Sequence, residues 1–141
     1  MSRACGFTGT RHGLTLEQAA SLNRVFARLY EQGFRIMHNG VAIGADEESV
    51  HLAVGIGFEI VAHPSTIAEQ RSETALMLAR DSRPFFPPLT RNYHIVSESE
   101  ILVAAPKHTK PSKQGGTWWT VRNAVKRGRA VITVWPDGRV T

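Results

Sequence analysis

Short apolar runs that alternate with longer segments of helical periodicity restrict the fold of this chain more than any other feature. The five runs are Ala4 to Thr8, Phe34 to Met37, Phe58 to Ala62, Ile101 to Ala105 and Ala130 to Trp135. Their apolar character is nearly continuous, which is typical of strands buried on both faces. Strands that alternate with helices predict an α/β fold, with about five parallel strands and helices on both faces of the sheet.

The segments between these runs carry recognisable helix signals. Thr15 and Gln18 have the spacing of a capping box, and Gly33 ends the periodic pattern that follows them. The pattern is least clear in residues 64–87, where prolines enclose a polar stretch. We expect a surface excursion there, in which residues 67–80 can form a helix.

The bulk composition limits the class of protein. A chain of 141 residues with 42% hydrophobic content predicts one domain over residues 1–141. The lone Cys5 indicates a buried thiol in a reducing compartment, and neither a signal peptide nor a membrane span is predicted, so we expect a cytoplasmic protein. A net charge of +5 favours anionic partners without choosing among nucleotide, nucleic acid and phosphosugar.

In a parallel sheet of this kind, ligands bind beyond the carboxyl ends of the strands. Three loops are expected at that edge, following the first, second and fourth predicted strands. They contain Gly9-Thr10-Arg11, residues 40–46 and residues 106–117.

The third loop has the character of an anion site. Gly115, Gly116 and Thr117 open a helix, and the first turn of a helix has unpaired N–H groups and a partial positive charge. These residues are therefore candidate phosphate ligands. The alternative is that the glycines serve only a tight turn between strand and helix.

Two residues of the other loops are candidate ligand contacts. Arg11 can grip a phosphate with its planar guanidinium, or it can be a solvated loop residue. Asp46, after Gly44, can accept a hydrogen bond from a ribose hydroxyl or cap the helix that it begins. If the site has a general base, the candidates are Asp46 and the adjacent Glu47.

Arg91 and Asn92 lie in the first turn of a predicted helix, where the helix dipole disfavours a cation. A ligand explains that placement, and an ion pair between Arg91 and Glu98 or Glu100 is the alternative. Trp118 is a candidate for stacking on a base, although it can instead pack on the sheet or on a partner, as we expect for Trp119.

The histidines do not indicate a metal centre. His12, His38, His51, His63, His94 and His108 are scattered along the chain, and only one cysteine accompanies them. The local spacing typical of zinc ligands is missing, so the sequence predicts no metal and no other cofactor. His38 and His63 end predicted strands, and either can line the ligand site.

The motifs in these loops together resemble the SLOG superfamily of Rossmann-like proteins, including its small bacterial and phage members. The superfamily also contains the lonely-guy phosphoribohydrolases and the core of DNA-processing protein A. The resemblance rests on residues 6–11 (Gly-Phe-Thr-Gly-Thr-Arg), Gly40 with residues 44–46 (Gly-Ala-Asp), Arg91-Asn92 and residues 115–117 (Gly-Gly-Thr). It covers most of the chain in the correct order.

The resemblance implies a site for a nucleotide or nucleotide-derived ligand, with phosphate on the Gly-Gly-Thr loop. In the phosphoribohydrolases an Arg and a Glu carry the reaction. Arg91 stands at the position of that Arg, so Arg91 and Asp46 are the candidate catalytic residues, but the Glu position is Thr120, which cannot act as a carboxylate.

Three functions are consistent with these observations. The first is capture of a nucleotide-type ligand, and the second is hydrolysis of an N-glycosidic bond in such a ligand. The third is binding of single-stranded DNA, which the basic charge and the tryptophans permit. We also expect a homo-oligomer, most simply a dimer, with Trp119 or the Phe85-Phe86 pair at the interface. No membrane partner is expected.

Overall fold

The computed structural model describes residues 3–141, which form one all-parallel sheet with the strand order β4-β3-β2-β1-β5-β6. The strands are β1 (Arg3–Gly9), β2 (Phe34–Asn39), β3 (Glu59–Ala62), β4 (Asp81–Ser82), β5 (Ile101–Ala105) and β6 (Ala130–Thr133). The helices are α1 (Leu16–Glu31), α2 (Ala45–Ile56), α3 (Glu73–Leu78), α4 (Pro88–Glu98) and α5 (Gly116–Lys126). The predicted α/β class with a parallel sheet is confirmed.

The sheet has one strand more than the sequence predicts. The additional strand, β4, is a two-residue edge strand that pairs with Val61 and Ala62. Both of its residues are exposed and polar, so no apolar run marks it. In the unclear segment the structure has a 3₁₀ turn at Ala68–Gln70 and then α3, which Ser72 caps through the N–H of Ala75, instead of one helix over residues 67–80.

The helices cover both faces of the sheet. On one face α1 packs on α2 and α2 on α3, while α4 packs on α5 on the other. Thr15 and Gln18 make the predicted capping box at the start of α1. Cys5 is fully buried in the core of the first face, and burial raises the pKa of its thiol to about 12.

The strand order reverses between β1 and β5. Gly9 at the end of β1 lies opposite Ala105 at the end of β5, and the next N–H, that of Thr10, donates to the carbonyl of Ala105 at 3.1 Å. The crossover helices leave these two strands in opposite directions, so a crevice opens beyond their carboxyl ends. Within residues 3–141, no helix combines the length and apolar character that crossing a bilayer requires.

Candidate ligand-binding cleft

A cleft of about 590 Å³ lies at this reversal point. All but one of the ligand-site residues predicted from the sequence line it. They are Gly9, Thr10, Arg11, Asp46, Arg91, Asn92, Gly115, Gly116, Thr117 and Trp118. Gly44 is the exception, because it lies against the backbone of Arg11. The three loops chosen from the sequence therefore converge on one crevice.

The N-terminus of α5 supplies the backbone donors of the cleft. Gly115 is the N-cap residue with φ +93°, and no side chain caps the helix. Across the described chain, no acceptor pairs with the N–H groups of Gly116, Thr117 and Trp118. Both glycines are exposed, so these donors are accessible to a ligand.

Arg91 contributes a buried cation to the opposite wall. Its side chain is only 7% exposed, and Nη1 donates to the carbonyls of Gly40 at 2.7 Å and His63 at 3.2 Å. Neither Glu98 nor Glu100 pairs with it, because Glu98 binds Arg83 and Glu100 binds Arg3. The ion-pair alternative for Arg91 is therefore wrong. The Nε atom of Arg91 is buried and has no partner among residues 3–141.

Asp46 and Arg91 meet at Gly40, where a side chain has no room. A Cβ on Gly40 would lie 2.8 Å from Cζ of Arg91 and 2.8 Å from Oδ2 of Asp46. Burial raises the pKa of Asp46 to about 6, although the charge of Arg91 and the N–H of Ala42 act in the opposite direction. Burial lowers the pKa of Arg91, Asp46 opposes that change, and the charge of Arg11 adds to it.

Asp46 does not cap the helix that it begins. Its Oδ2 accepts from the N–H of Ala42 at 3.2 Å, while Gly44 is the N-cap residue of α2 and has no side-chain partner. The capping alternative for Asp46 is corrected accordingly: the carboxylate fastens the loop of residues 40–44 and faces the cleft. It is the only acidic side chain among the described residues that line the cleft.

Three further side chains border the donors of α5. Arg11 is exposed and forms no ion pair within the described residues. Asn92 is buried, and its Nδ2 lies 3.8 Å from the position of a Cβ on Gly116. Trp118 is half-buried with its ring centroid 5.8 Å from that of Trp135, so it packs on the protein and also faces the cleft.

Thr120 occupies the position where the resembling hydrolases have a glutamate. It is fully buried, and its hydroxyl donates to the carbonyl of Gly116 at 2.7 Å. It does not line the cleft. The hydroxyl is thus committed to the helix backbone and has no direct access to a ligand.

The cleft includes residues that the sequence did not single out as ligand contacts, and it excludes others that were considered. Gln70 reaches it from the 3₁₀ turn, and Ser112 and Gln114 line it from the loop before α5, beside Lys107 and His108 of the basic group in that loop. The position of Gln70 depends on the excursion of residues 64–87, whose path no local pattern indicated. His38 and His63 are buried elsewhere, and Glu47 instead binds Ser72 and Thr74.

No family model matches the sequence, and no curated protein matches it. Solved structures do resemble the fold. The molybdenum cofactor binding protein of the phototrophic bacterium Rippkaea orientalis superposes with a TM-score of 0.72 at 16% identity, over 96% of this chain and 77% of that one. The Moco carrier protein of Chlamydomonas reinhardtii gives 0.68 at 20% identity, over 94% and 76%.

DNA processing protein A from Helicobacter pylori, described by its single-stranded DNA binding mode, gives a TM-score of 0.67 at 16% identity. The match covers 93% of this chain and 64% of that protein. The Rossmann-like fold that the sequence resemblance implies, shared with DNA processing protein A, is therefore confirmed. At these identities the similarity concerns the fold.

Proposed function

We propose that this protein binds a nucleotide or a nucleotide-derived phosphorylated ligand in the cleft between β1 and β5. The phosphate lies on the N–H groups of Gly116, Thr117 and Trp118, with Arg11 and Arg91 as its cations. Asn92 and Asp46 are the polar contacts for a sugar, and Trp118 borders the base.

The observation that carries this proposal is the uncapped N-terminus of α5. Three N–H groups without acceptors among residues 3–141 face a cleft that also contains two arginines, and only one carboxylate of these described residues lines that cleft. Unsatisfied donors and like charges are costly to hold together unless an anion compensates them. A phosphate supplies that compensation, since its oxygens accept several charge-assisted hydrogen bonds at once.

The decisive experiment compares two substitutions of Gly116. Gly116→Pro removes one amide donor at the first helical position, where proline is well tolerated, and Gly116→Ala adds a Cβ but keeps the donor. Isothermal titration with nucleoside monophosphates and ADP-ribose should identify a ligand of the unchanged protein. The proline variant should bind it at least about tenfold more weakly than the alanine variant, because a hydrogen bond to a charged group contributes about 1.5–3 kcal/mol. Equal affinities of the two variants would show that the phosphate does not bind the N-terminus of α5.

Hydrolysis of an N-glycosidic bond is the second reading of the same cleft. Arg91 and Asp46 remain its candidate catalytic residues, with Asp46 as the carboxyl group whose raised pKa suits proton transfer near pH 6. Mass spectrometry of the incubated ligand separates the two functions, because a binding protein leaves it intact and a hydrolase releases a free base. Because the hydroxyl of Thr120 donates to the helix backbone, we expect the ligand to remain intact.

Single-stranded DNA is a further candidate, supported by the exposed cations Lys107, Lys110 and Lys113 beside the cleft and by the DNA-binding relative of the same fold. DNA affinity through phosphates falls steeply with salt, whereas binding in a cleft falls less. Oligonucleotide titrations at low and physiological salt, with and without the nucleotide as competitor, distinguish the two ligands.

We also propose that the protein forms a homo-oligomer. The half-exposed Phe85 is a candidate interface residue, although the guanidinium of Arg71 already lies 4.6 Å from its ring centroid. Trp119 is half-buried. Sedimentation of the unchanged protein and of Phe85→Ser tests this expectation, since a dimer held by this surface should dissociate in the variant.

A further inference from the structure

A second cluster of functional side chains lies outside the cleft. His38 in β2, His63 directly after β3 and Glu98 at the last residue of α4 each direct one ligand atom toward a common point, with all three atoms within 4.8 Å of one another. None of these residues lines the nucleotide cleft. The side chains of the cluster therefore have no contact with the ligand proposed above, although the backbone carbonyl of His63 accepts from Arg91.

The distances within the cluster are close to those around a tetrahedral metal ion. Nδ1 of His38 lies 2.9 Å from Nε2 of His63, and that Nε2 lies 3.7 Å from Oε2 of Glu98. Ligand atoms about 2.0–2.2 Å from a tetrahedral zinc ion lie roughly 3.3–3.6 Å apart. The contact between the two imidazoles is shorter than this spacing, so the rings have to separate by a few tenths of an ångström to admit an ion.

The imidazole of His63 makes its polar contacts on one side. The residue is 1% exposed, and its other nitrogen, Nδ1, has no partner among the described residues. Both side-chain contacts of the ring therefore pass through Nε2, toward His38 and Glu98. Nε2 is therefore the ring nitrogen of His63 that the fold directs at the cluster.

Arg83 orients the third ligand. It forms a two-pronged contact with Glu98, in which Nη2 donates to Oε1 at 2.6 Å and Nε donates to Oε2, the oxygen nearest His63, at 3.1 Å. Such a partner fixes the orientation of a metal-binding carboxylate, and Oε2 keeps a second lone pair for an ion. The Glu98 side chain is 33% exposed, so an ion can reach the cluster from solvent.

The donor atoms of the cluster determine which ions it suits. Two imidazole nitrogens and one carboxylate oxygen select zinc-type ions over Mg²⁺ and Ca²⁺, which prefer oxygen ligands.

We propose that His38, His63 and Glu98 form a binding site for a zinc-type divalent cation, with a fourth coordination position open toward solvent. The site fastens the C-terminus of α4 to β2 and to the end of β3. Sequence spacing does not reveal it, because the three ligands come from separate elements that only the fold brings together.

The test uses the full chain, stripped of metal and titrated with Zn²⁺ and Co²⁺. Glu98→Gln removes a ligand at the protein surface, and Glu100→Gln is the matched control on an exposed carboxylate two residues away. The unchanged protein and Glu100→Gln should bind one ion, and Co²⁺ should give the visible absorption of a four-coordinate site. Glu98→Gln should bind at least about tenfold more weakly, since even outer-shell changes cost 10–100-fold.

His63→Gln should abolish binding, and Zn²⁺ should raise the melting temperature of the unchanged protein but not that of this variant. Mg²⁺ and Ca²⁺ should have no effect on either protein. If Glu98→Gln retains the full affinity, the ion sits on exposed histidines such as His12, His51 or His108 and the proposal fails. Because Glu98 is at the surface, this outcome remains readable even if His63→Gln does not fold.

Discussion

The N-termini of α2 and α5 open toward the same edge of the sheet, and both begin after a glycine with φ +93°. They differ in what satisfies them. At α2 the N–H of Ala45 donates to the carbonyl of Thr10 and that of Glu47 to Ala42, while the side chain of Asp46 accepts from Ala42. At α5 the corresponding donors find no acceptor in residues 3–141.

The two loops are similar in conformation at their glycine φ but have different roles. The α2 terminus is closed, because the protein itself satisfies the N–H groups of Ala45 and Glu47, and the backbone of Arg11 packs on Gly44. The loop before it holds Asp46 through the N–H of Ala42 and holds Arg91 through the carbonyl of Gly40. The α5 terminus is open and has the geometry to receive an anion. A glycine with positive φ before a helix therefore indicates a site only when the donors of that helix are left unsatisfied.

The largest predicted effect is the difference in the free energy of unfolding between alanine substitutions of Gly44 and Gly115. A Cβ on Gly44 would lie 2.6 Å from the carbonyl carbon of Arg11, whereas one on Gly115 would meet open space. Gly44→Ala should lower the free energy of unfolding by about 3 kcal/mol or more, because backbone strain and a steric clash combine. Gly115→Ala carries the strain alone, which costs about 1–3 kcal/mol.

Chemical denaturation of both variants measures this difference. Ligand titration of Gly115→Ala adds a second readout. A displacement of the N–H groups at the start of α5 should weaken ligand binding in this variant, although it is the more stable of the two. Similar stability losses at the two positions would contradict the division into a closed and an open terminus.

The second prediction concerns the titration of Asp46 at the closed terminus. Its pKa is about 6 in the folded protein, against about 3.9 in an unfolded chain. A raised pKa means that its contribution to stability is fully present below about pH 4 and is lost as the pH rises through 6. Relative to Asp46→Asn, the unchanged protein should therefore lose on the order of 2–3 kcal/mol between pH 4 and pH 7.

Denaturation curves of the two proteins at several pH values give this difference directly. His63 titrates with the opposite sign, because its lowered pKa removes stability as the pH falls. Subtraction of the Asp46→Asn curve cancels that contribution. Parallel curves for the two proteins would show that the carboxyl group is charged throughout and is held by Arg91.

Much of the fold could be predicted from the sequence, because its signals are local. Each of the five apolar runs contains strand residues, although Phe58 lies before β3 and Val134 and Trp135 lie after β6, and the capping box at Thr15 starts α1 as expected. Strand β4 could not be predicted, since two exposed polar residues gain their strand conformation only by pairing with β3. Tertiary pairing here overrides local preference.

The candidate site follows the same rule. Loops that end adjacent parallel strands must converge, so Arg11, Asp46 and Gly116 could be placed together from the sequence. That Asp46 binds the Ala42 N–H and that Gly44 faces Arg11 could not, because both contacts depend on how closely α2 approaches the end of β1. The position of Gln70 similarly depends on a loop path that no periodicity encodes.

The smallest predicted effect concerns Arg11, which contacts the α2 terminus through its backbone and the cleft beside the α5 terminus through its side chain. Its backbone packs on Gly44 at the closed terminus, while its exposed side chain borders the cleft below α5. Arg11→Gln should therefore change the free energy of unfolding by less than about 0.5 kcal/mol. It should weaken binding of the nucleotide by about 1 kcal/mol, or roughly fivefold, since a solvated cation contributes less than a buried one.

Arg28→Gln is the matched control, because it removes the same charge from an exposed position on α1 outside the cleft. Titrations at two salt concentrations distinguish a direct contact from the general field of a basic protein. If Arg11 contacts the ligand directly, the ligand affinity of Arg11→Gln should depend less on salt than that of the unchanged protein. The salt dependence for Arg28→Gln should equal that of the unchanged protein. If both variants lose the same affinity, net charge attracts the ligand, and the open terminus of α5 must hold its phosphate without Arg11.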